Sequence, residues 1–479
     1  MTYEQVPLAV RVLYRSIIVI STFYIATSHI TMPDSLLEES PLSSLGLRVL
    51  WVATILAGVL ALVRPSFGLM TVEYILVNKS FLAYSFGGIA LTSTDYVTLI
   101  DSGAFMAIGL TLYGLILKTR IHNYLCPFDA SSEAAPPRFV HPLIILSLAM
   151  IALHFGNYFY GAVIKMALGE HVSSWVLVNR TYQLILMALE SRVLPISFDP
   201  NLVQHVYDAF AAIYVPFNFV VLIAQFFCII ALNNIRWTIA ITVCFDLMHV
   251  GIFILTGIFF WKWILLNLAI VAALSLIVRT SISLQHRVLV MILVLASPVI
   301  YKIPPFAWFD TAAANTLHIH AITDDGEVYE VPSNYFLPLA VTIVQQRMQW
   351  PLENKFPTTT WGTTREWDRL AELSNCSTAN TIEEWFWFIK SHEQITNIIQ
   401  RYHTYILSVV DDRGLLNYDI YPHHFFTMPW ELQEFRSLDK RRIVAYRYIS
   451  EAACLSLDEG RLVKDVKRSQ SFDIPVRGD

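Results

Sequence analysis

The sequence predicts an all-α polytopic membrane protein of about nine transmembrane helices plus a lateral helix, followed by a small α+β extracytoplasmic C-terminal domain. Three observations predict it. The chain of 479 residues is 55% hydrophobic and only 15% charged, with mean hydropathy +0.51, whereas soluble proteins carry roughly a quarter charged residues. Apolar stretches close to the ~20 residues that a crossing needs recur from the start. Beyond Tyr301 the apolar character falls away and Lys302-Ile-Pro-Pro-Phe306 stops a helix. The division that follows is 1–302 for the membrane part and 303–479 for the C-terminal domain.

Taken in order, spans are expected near 10–30, 46–63, 67–93, 102–118, 141–168, 209–232, 237–260, 262–279 and 287–302. The first lacks a small-residue cleavage site and reads as a retained span rather than a signal peptide. Glu73 and Lys79 interrupt 67–93, which is either a span with an internal polar face or a re-entrant element. Arg64, Lys118 to Arg138, Arg236 and Arg279 to Arg287 cluster in alternate loops, while 31–46 holds Asp34, Glu38 and Glu39. Cations favour the cytoplasmic side, so the N-terminus is expected inside and the C-terminal domain extracytoplasmic or lumenal. Residues 169–208, with Trp175 and the apolar run Leu184 to Leu189, are too short in apolar length to cross and read as a lateral roof.

In the C-terminal part, 317–331 alternates on both sides of Asp-Asp-Gly, a β-hairpin pattern. His318 and His320 share one face of its first strand, but two residues without a third ligand do not make a metal site. Ser333 is a plausible N-cap for a helix over Pro332 to Gln349. Ile382 to Val410 and Asp439 to Ala453 read as helices, and the polar tail from Asp465 as loosely ordered. Trp350, Trp361, Trp367, Trp385, Trp387 and Trp430 suit either a compact core or protein docking. Asn179-Arg180-Thr181 and Asn375-Cys376-Ser377 have the form of glycan acceptors. Five cysteines show no CxxC or metal spacing, and a Cys376–Cys454 disulfide is an open alternative.

The net charge of −5 gives no reason to expect nucleic acid, and no GxSxG, P-loop, HExxH or GxGxxG motif supports hydrolase or nucleotide chemistry. No metal is expected. What remains is polar side chains in oil. At about 100° per residue His154, Asn157, Tyr158, Gly161 and Lys165 share one helical face. The sixth span adds Asn218 and Gln225 on one face, and the seventh adds Thr242, Asp246 and His249. Amides and hydroxyls at such depth commonly bind helices together, whereas ionisable groups more often mark a site. Lys165, His249 and Asp246 are therefore the candidate catalytic residues, and His154, Asn157, Tyr158, Asn218 and Gln225 the candidate ligand-binding ones. A lysine amine in an apolar setting suits a base at neutral pH. The alternative, a charged Lys165 paired with Asp246, stays open.

Tyr158-Phe-Tyr-Gly-Ala-Val-Ile-Lys165, with Trp175 ten residues on, resembles the tyrosine-rich, glycine-then-lysine helix of the HTTM or vitamin K-dependent γ-carboxylase-like family. Phe245-Asp-Leu-Met-His249 and the aromatic stretch Gly257 to Asn267 are similar to that family's histidine-bearing helix and following turn. The similarity covers roughly residues 10–300. It implies a quinone or lipid ligand, Lys165 as the base, and His249 as the group that stabilises a quinone-derived oxyanion or a developing carbanion. Residues 303–479 depart from the carboxylases in being shorter than their lumenal portion. Two readings follow: an enzyme binding a quinone-like or lipidic molecule among the fifth to seventh spans, or a non-catalytic subunit in contact with membrane lipid that docks other membrane-complex subunits through 303–479. A transporter is disfavoured because no internal duplication is visible.

Overall fold

A computed structural model of the chain describes residues 3–30, 44–77, 94–116, 141–278, 282–301, 307–339, 343–344, 348, 356, 358, 360–376, 391–416 and 427–476. The loop over 31–43, the part of the third expected span over 78–93, the basic stretch 117–140, and Trp350, Trp385, Trp387 and Ser377 lie outside them.

The N-terminal part is a bundle of apolar helices: α1 (Leu8–Ile30), α2 (Ser44–Ala61), α3 (Met70–Val77), α4 (Thr94–Ile116), α5 (Pro142–Met166), α8 (Pro200–Ala231), α9 (Ile235–Thr256), α10 (Trp261–Ser275) and α11 (Leu284–Ile300), with two short roof helices, α6 (Ser174–Val178) and α7 (Leu184–Glu190), between α5 and α8. Among the described residues, five segments, within α1, α4, α5, α8 and α9, are long and apolar enough to cross a membrane. That is fewer than the nine expected. The apolar parts of α2, α10 and α11 are shorter; the 15 residues of α10 rise only about 22 Å against a hydrocarbon core of about 30 Å. Glu73, expected to interrupt the third span, meets Thr54 of α2 at 3.2 Å.

Side-chain caps set several helix starts. Asp199 accepts from the Asn201 and Leu202 amides before α8, Asn234 from Arg236 before α9, and His141 from Leu143 before α5, where Pro142 occupies the first turn without a lost hydrogen bond. The most buried of the five long helices is α5. It packs on α11 through Gly156, where a Cβ would fall 1.9 Å from Ser297 Oγ, and Tyr160 donates across the same seam to Leu295 O at 2.6 Å. At the other end of α9, Gly257 takes φ 70° and a Cβ would meet Val193 O at 2.0 Å. Only glycine lets the helix stop against the roof there.

The C-terminal part is a four-stranded antiparallel sheet in the order β3-β2-β5-β6, with β2 (Ala313–Thr323), β3 (Val328–Glu330), β5 (Ile443–Asp458) and β6 (Arg461–Pro475). A two-stranded piece, β1 (Phe309–Asp310) with β4 (Thr363–Thr364), joins it to the bundle. The expected hairpin is present, with His320 opposite Glu330 and Ile322 opposite Val328. Two other expectations are corrected. The helix expected over Asp439 to Ala453 is instead a short 3-10 turn, Lys440–Arg442, and strand β5. Tyr446, Tyr448, Ser450 and Ala452 are buried with period two, and the aromatic and β-branched content suits a pleated surface. The tail from Asp465 is not loose: it continues β6, ordered by its backbone ladder to β5 even though most of its side chains are exposed. Of the helix expected over Pro332 to Gln349, Ser333–Leu339 is a 3-10 segment and residues 343–344 are helical, while 340–342, 345–347 and 349 lie outside the described residues.

Over the sheet lie α12 (Trp367–Ser374), α13 (His392–Val409) and α14 (Gln433–Ser437). A reciprocal cap between Ser391 and Gln394 starts α13. Its Tyr402 packs with Phe336, while Tyr446 joins Tyr335 hydroxyl to hydroxyl at 2.8 Å and lies 3.0 Å from His403 Nδ1. Cys376 and Cys454 are paired in a disulfide with Cα atoms 5.8 Å apart. Because the bond closes a loop of 78 residues in sequence, Cys454→Ser is expected to cost about 2–5 kcal/mol of stability. Thermal unfolding of the two proteins side by side measures it; equal midpoints would show that the bond constrains nothing.

Candidate functional site

The polar face of α5 is divided between two clusters. The first gathers on Asn267 of α10. His154 Nε2 lies 2.9 Å from Asn267 Oδ1, and the Asn267 amide donates to Tyr158 OH at 3.1 Å and to Asp246 Oδ1 at 2.8 Å. Asp246 fixes the orientation of the amide, so His154 donates through Nε2 and its Nδ1 carries the lone pair. His249 Nδ1 is 4.0 Å from Asp246 Oδ1. Aromatic rings enclose the group: Tyr158 stacks on Phe245 with centroids 3.7 Å apart, and Trp263 lies 5.3 to 5.6 Å from His154, Tyr158 and His249. Among the described residues, His154 Nδ1 and Asp246 Oδ2 are buried and have no hydrogen-bond partner. A buried polar atom left open costs about 1–3 kcal/mol and calls for an explanation.

The second cluster lies seven residues further along α5, about 10 Å at the helical rise. Lys165 Nζ donates to Gln225 Oε1 at 3.0 Å and to Gly161 O at 3.5 Å, and sits 5.1 Å from the Trp175 ring centre. Trp175 Nε1 donates to Trp308 O at 2.9 Å, and Trp308 Nε1 to Asp310 Oδ1 at 3.0 Å. Asn179 donates to Asp310 Oδ2 at 2.9 Å and accepts from the Asp310 amide at 2.7 Å. Asn218 of α8 completes the set, donating to Asn179 O at 2.8 Å and accepting from Thr181 Oγ1 at 2.5 Å. Burial pushes Asp310 up to about 7, against the hydrogen bonds from Asn179 and Trp308 and the charge of Lys165.

Of the residues expected from sequence, His154, Tyr158, Asp246 and His249 converge on Asn267, while Lys165, Gln225 and Asn218 belong with the roof. Asn157 donates to His154 O one turn back, at 3.0 Å. Asp246, the carboxylate weighed as a partner for Lys165, is instead engaged with Asn267 and lies near His249. Asn267 and Asp310 were not foreseen as site residues. Asn267 stands as a lone amide among Ile, Leu, Val and Ala of α10, a signal that was present; Asp310 sits in a two-residue strand with no local pattern. Asn179, expected as a glycan acceptor, is 1% exposed with its amide engaged at both atoms, and does not serve as one in the folded protein.

A third polar group ties the roof to the sheet. His318 Nε2 lies 2.7 Å from Glu190 Oε1 and its Nδ1 3.5 Å from Glu330. Lys464 bridges Glu190 and Glu451 at 2.8 Å each, and Arg192 reaches Glu330 at 3.2 Å. Glu190, Arg192, His318 and Glu330 border a cleft with a cavity of about 40 Å³, room for a few water molecules. Among the described residues no group of three or more His, Cys, Asp or Glu is arranged to hold a metal ion.

Burial opposes the charge at each of these groups. The bonds to Glu190 and Glu330 nevertheless raise His318 to about 9, and the cations hold Glu190 and Glu330 at about 2. The His318 contribution is therefore complete below its ordinary 6.5 and lost as pH rises through 9; the glutamate contributions are complete above 4.5 and lost as pH falls toward 2. The roof and sheet should hold together best between those two ordinary values. Limited proteolysis at about pH 6 and about pH 10 should show faster cleavage in 443–476 at the higher pH; equal rates would contradict the linkage.

The fold and the site thus define a class: a bundle of apolar helices, several able to cross a membrane, with ionisable groups in its interior and a small sheet docked on one end. Comparison with family models, curated proteins and solved structures finds no match for this chain.

Proposed function

We propose that the chain is an integral membrane protein of the HTTM/γ-carboxylase-like kind that binds a quinone-like or lipidic molecule beside α5 and uses Lys165 as a base. The observation that carries this reading is the pair of buried atoms without partners, His154 Nδ1 and Asp246 Oδ2, set among the rings of Tyr158, Phe245 and Trp263. Acceptors between aromatic faces fit a flat ring bearing O–H groups. Such a hydroquinone would pass two electrons and two protons to dioxygen as the oxidant, leaving the quinone and hydrogen peroxide. His154 and Asp246 would orient it by accepting hydrogen bonds, and Lys165, about 16 Å from His154 along the same helix, would take up a proton at Nζ relayed from the ring's far end. The disulfide supports a position of residues 303–479 on an oxidising, extracytoplasmic side, in agreement with the distribution of cations along the sequence.

The test is extraction of the purified protein followed by mass spectrometry. A bound quinone is expected in the natural protein, with a content about tenfold lower in His154→Ala/Asp246→Asn, the loss that about 1.4 kcal/mol of binding produces. Lys165→Ala is expected to keep the ligand and lose its oxidation. Absence of quinone from the natural protein, or equal content in all three, would reject the reading.

A further inference from the structure

Away from the clusters on α5, the start of α1 holds two arginines within a segment that otherwise suits a membrane. Arg11 and Arg15 stand three and seven residues into the apolar stretch Leu8–Thr27, about 5 and 10 Å from its start. Among the described residues neither forms an ion pair, and Arg11 Nε is buried without a hydrogen-bond partner. The Arg15 guanidinium lies 4.1 Å over the ring of Tyr3, whose hydroxyl donates to Ala61 O at the end of α2. Tyr14 OH donates to Pro65 O at 2.7 Å, so the two tyrosines hold against α1 the turn that carries Arg64. Glu4 is the only acidic residue between positions 3 and 30, and it is exposed.

Three effects oppose this arrangement. A cation is expensive at membrane depth, like charges four residues apart on a helix repel, and the positive end of the helix dipole disfavours Arg11. One anion held between the two guanidiniums offsets all three. Helical side chains lean toward the N-terminus, so both arginines reach back to the Leu8 end, where the headgroups of a bilayer lie. Stacking on Tyr3 occupies a face of the Arg15 guanidinium and leaves its N–H edge to donate, the fork that a phosphate accepts. Leu8, Val19 and Phe23 share the Arg15 side of α1 at helical period, each more than half exposed. We propose that Arg11 and Arg15, with Arg64 on the adjoining turn, bind the headgroup phosphate of an anionic phospholipid whose acyl chain lies along that stripe. The apolar stripe commits the site to a lipid rather than to free phosphate. It is separate from the His154–Asp246 cluster, and neither depends on the other.

Native mass spectrometry of the purified full-length protein, titrated in detergent with phosphatidylglycerol, phosphatidylcholine or inorganic phosphate, tests this. Phosphatidylglycerol is expected to bind about tenfold more tightly than phosphatidylcholine, and Arg11→Gln/Arg15→Gln should remove that difference. Arg236→Gln, which takes an exposed cation from the start of α9, should leave it unchanged. Equal affinity for the two lipids, or a preference that survives the double substitution, overturns the proposal. A loss as large in Arg236→Gln does the same, since the attraction would then be diffuse surface charge. So does inorganic phosphate that displaces phosphatidylglycerol at equal concentration, because the acyl chain would then contribute nothing. Arg11→Lys/Arg15→Lys keeps both charges and serves where the glutamine variant does not fold; without the fork its preference should fall about threefold, and an unaltered preference there overturns the phosphate contact.

Discussion

Glu190→Ala is expected to destabilise the docking of the C-terminal sheet by about 3–5 kcal/mol, the cost of removing one partner from a buried ionic group. Glu190 Oε1 accepts from both His318 and Lys464, at 2.7 and 2.8 Å, and the residue is 5% exposed. Without it two cations face each other, since Lys464 Nζ is only 3.2 Å from His318 Nε2. The effect should exceed that of any rim pair such as Arg447–Asp473, whose partners are both more than 40% exposed and which solvent screens. Thermal unfolding in detergent, with proteolysis mapped to 443–476, gives the magnitude. The pairing account also requires that Glu190→Ala/His318→Ala lose less than Glu190→Ala alone, because the stranded cation is gone. A double variant no better than the single one would count against it.

Gly257→Ala is expected to cost about 2–4 kcal/mol, combining roughly 1 kcal/mol for a left-handed residue with about 1–3 kcal/mol for a forced overlap. The overlap is with backbone, Val193 O, and not with a side chain able to turn away. Relief must come from moving the end of α9 or the roof turn. Gly257 is followed by Ile258 to Trp263, which sets the ring of Trp263 against His154, Tyr158 and His249. The substitution should therefore change tryptophan emission together with the quinone content that the proposed function calls for. Lower stability with an unchanged ligand content would separate the turn from the site.

Much of the bundle was legible because burial in an apolar medium leaves a direct mark: long apolar stretches, with polar residues spaced at helical period on α5 and α9. The hairpin was legible for a similar reason, Asp-Asp-Gly between alternating strands. Strand β5 was not. Ile443 to Ala453 mixes Tyr, Arg, Ser and Glu in a way that also suits an amphipathic helix, and its pairing with β2 joins residues far apart in sequence, so no local window reveals it. Strand β6 was missed because its side chains are polar and only its backbone is engaged. At the site, residues sharing one helix face could be grouped from spacing alone. That Asp310 belongs to the roof cluster depended on where the C-terminal strand docks, which Trp175, Trp308 and Asn179 fix across three separate segments.

The burial of Asn179 has a consequence for biosynthesis. Its triplet, Asn-Arg-Thr, is the form that an oligosaccharyltransferase reads on an unfolded chain. In the folded protein the amide is clamped between Asp310 and Thr181, so a sugar and the seated first strand exclude each other. In a eukaryotic secretory host, early modification there would divert chains from completing their fold, and Asn179→Gln would not rescue them, because the same amide holds the strand in place.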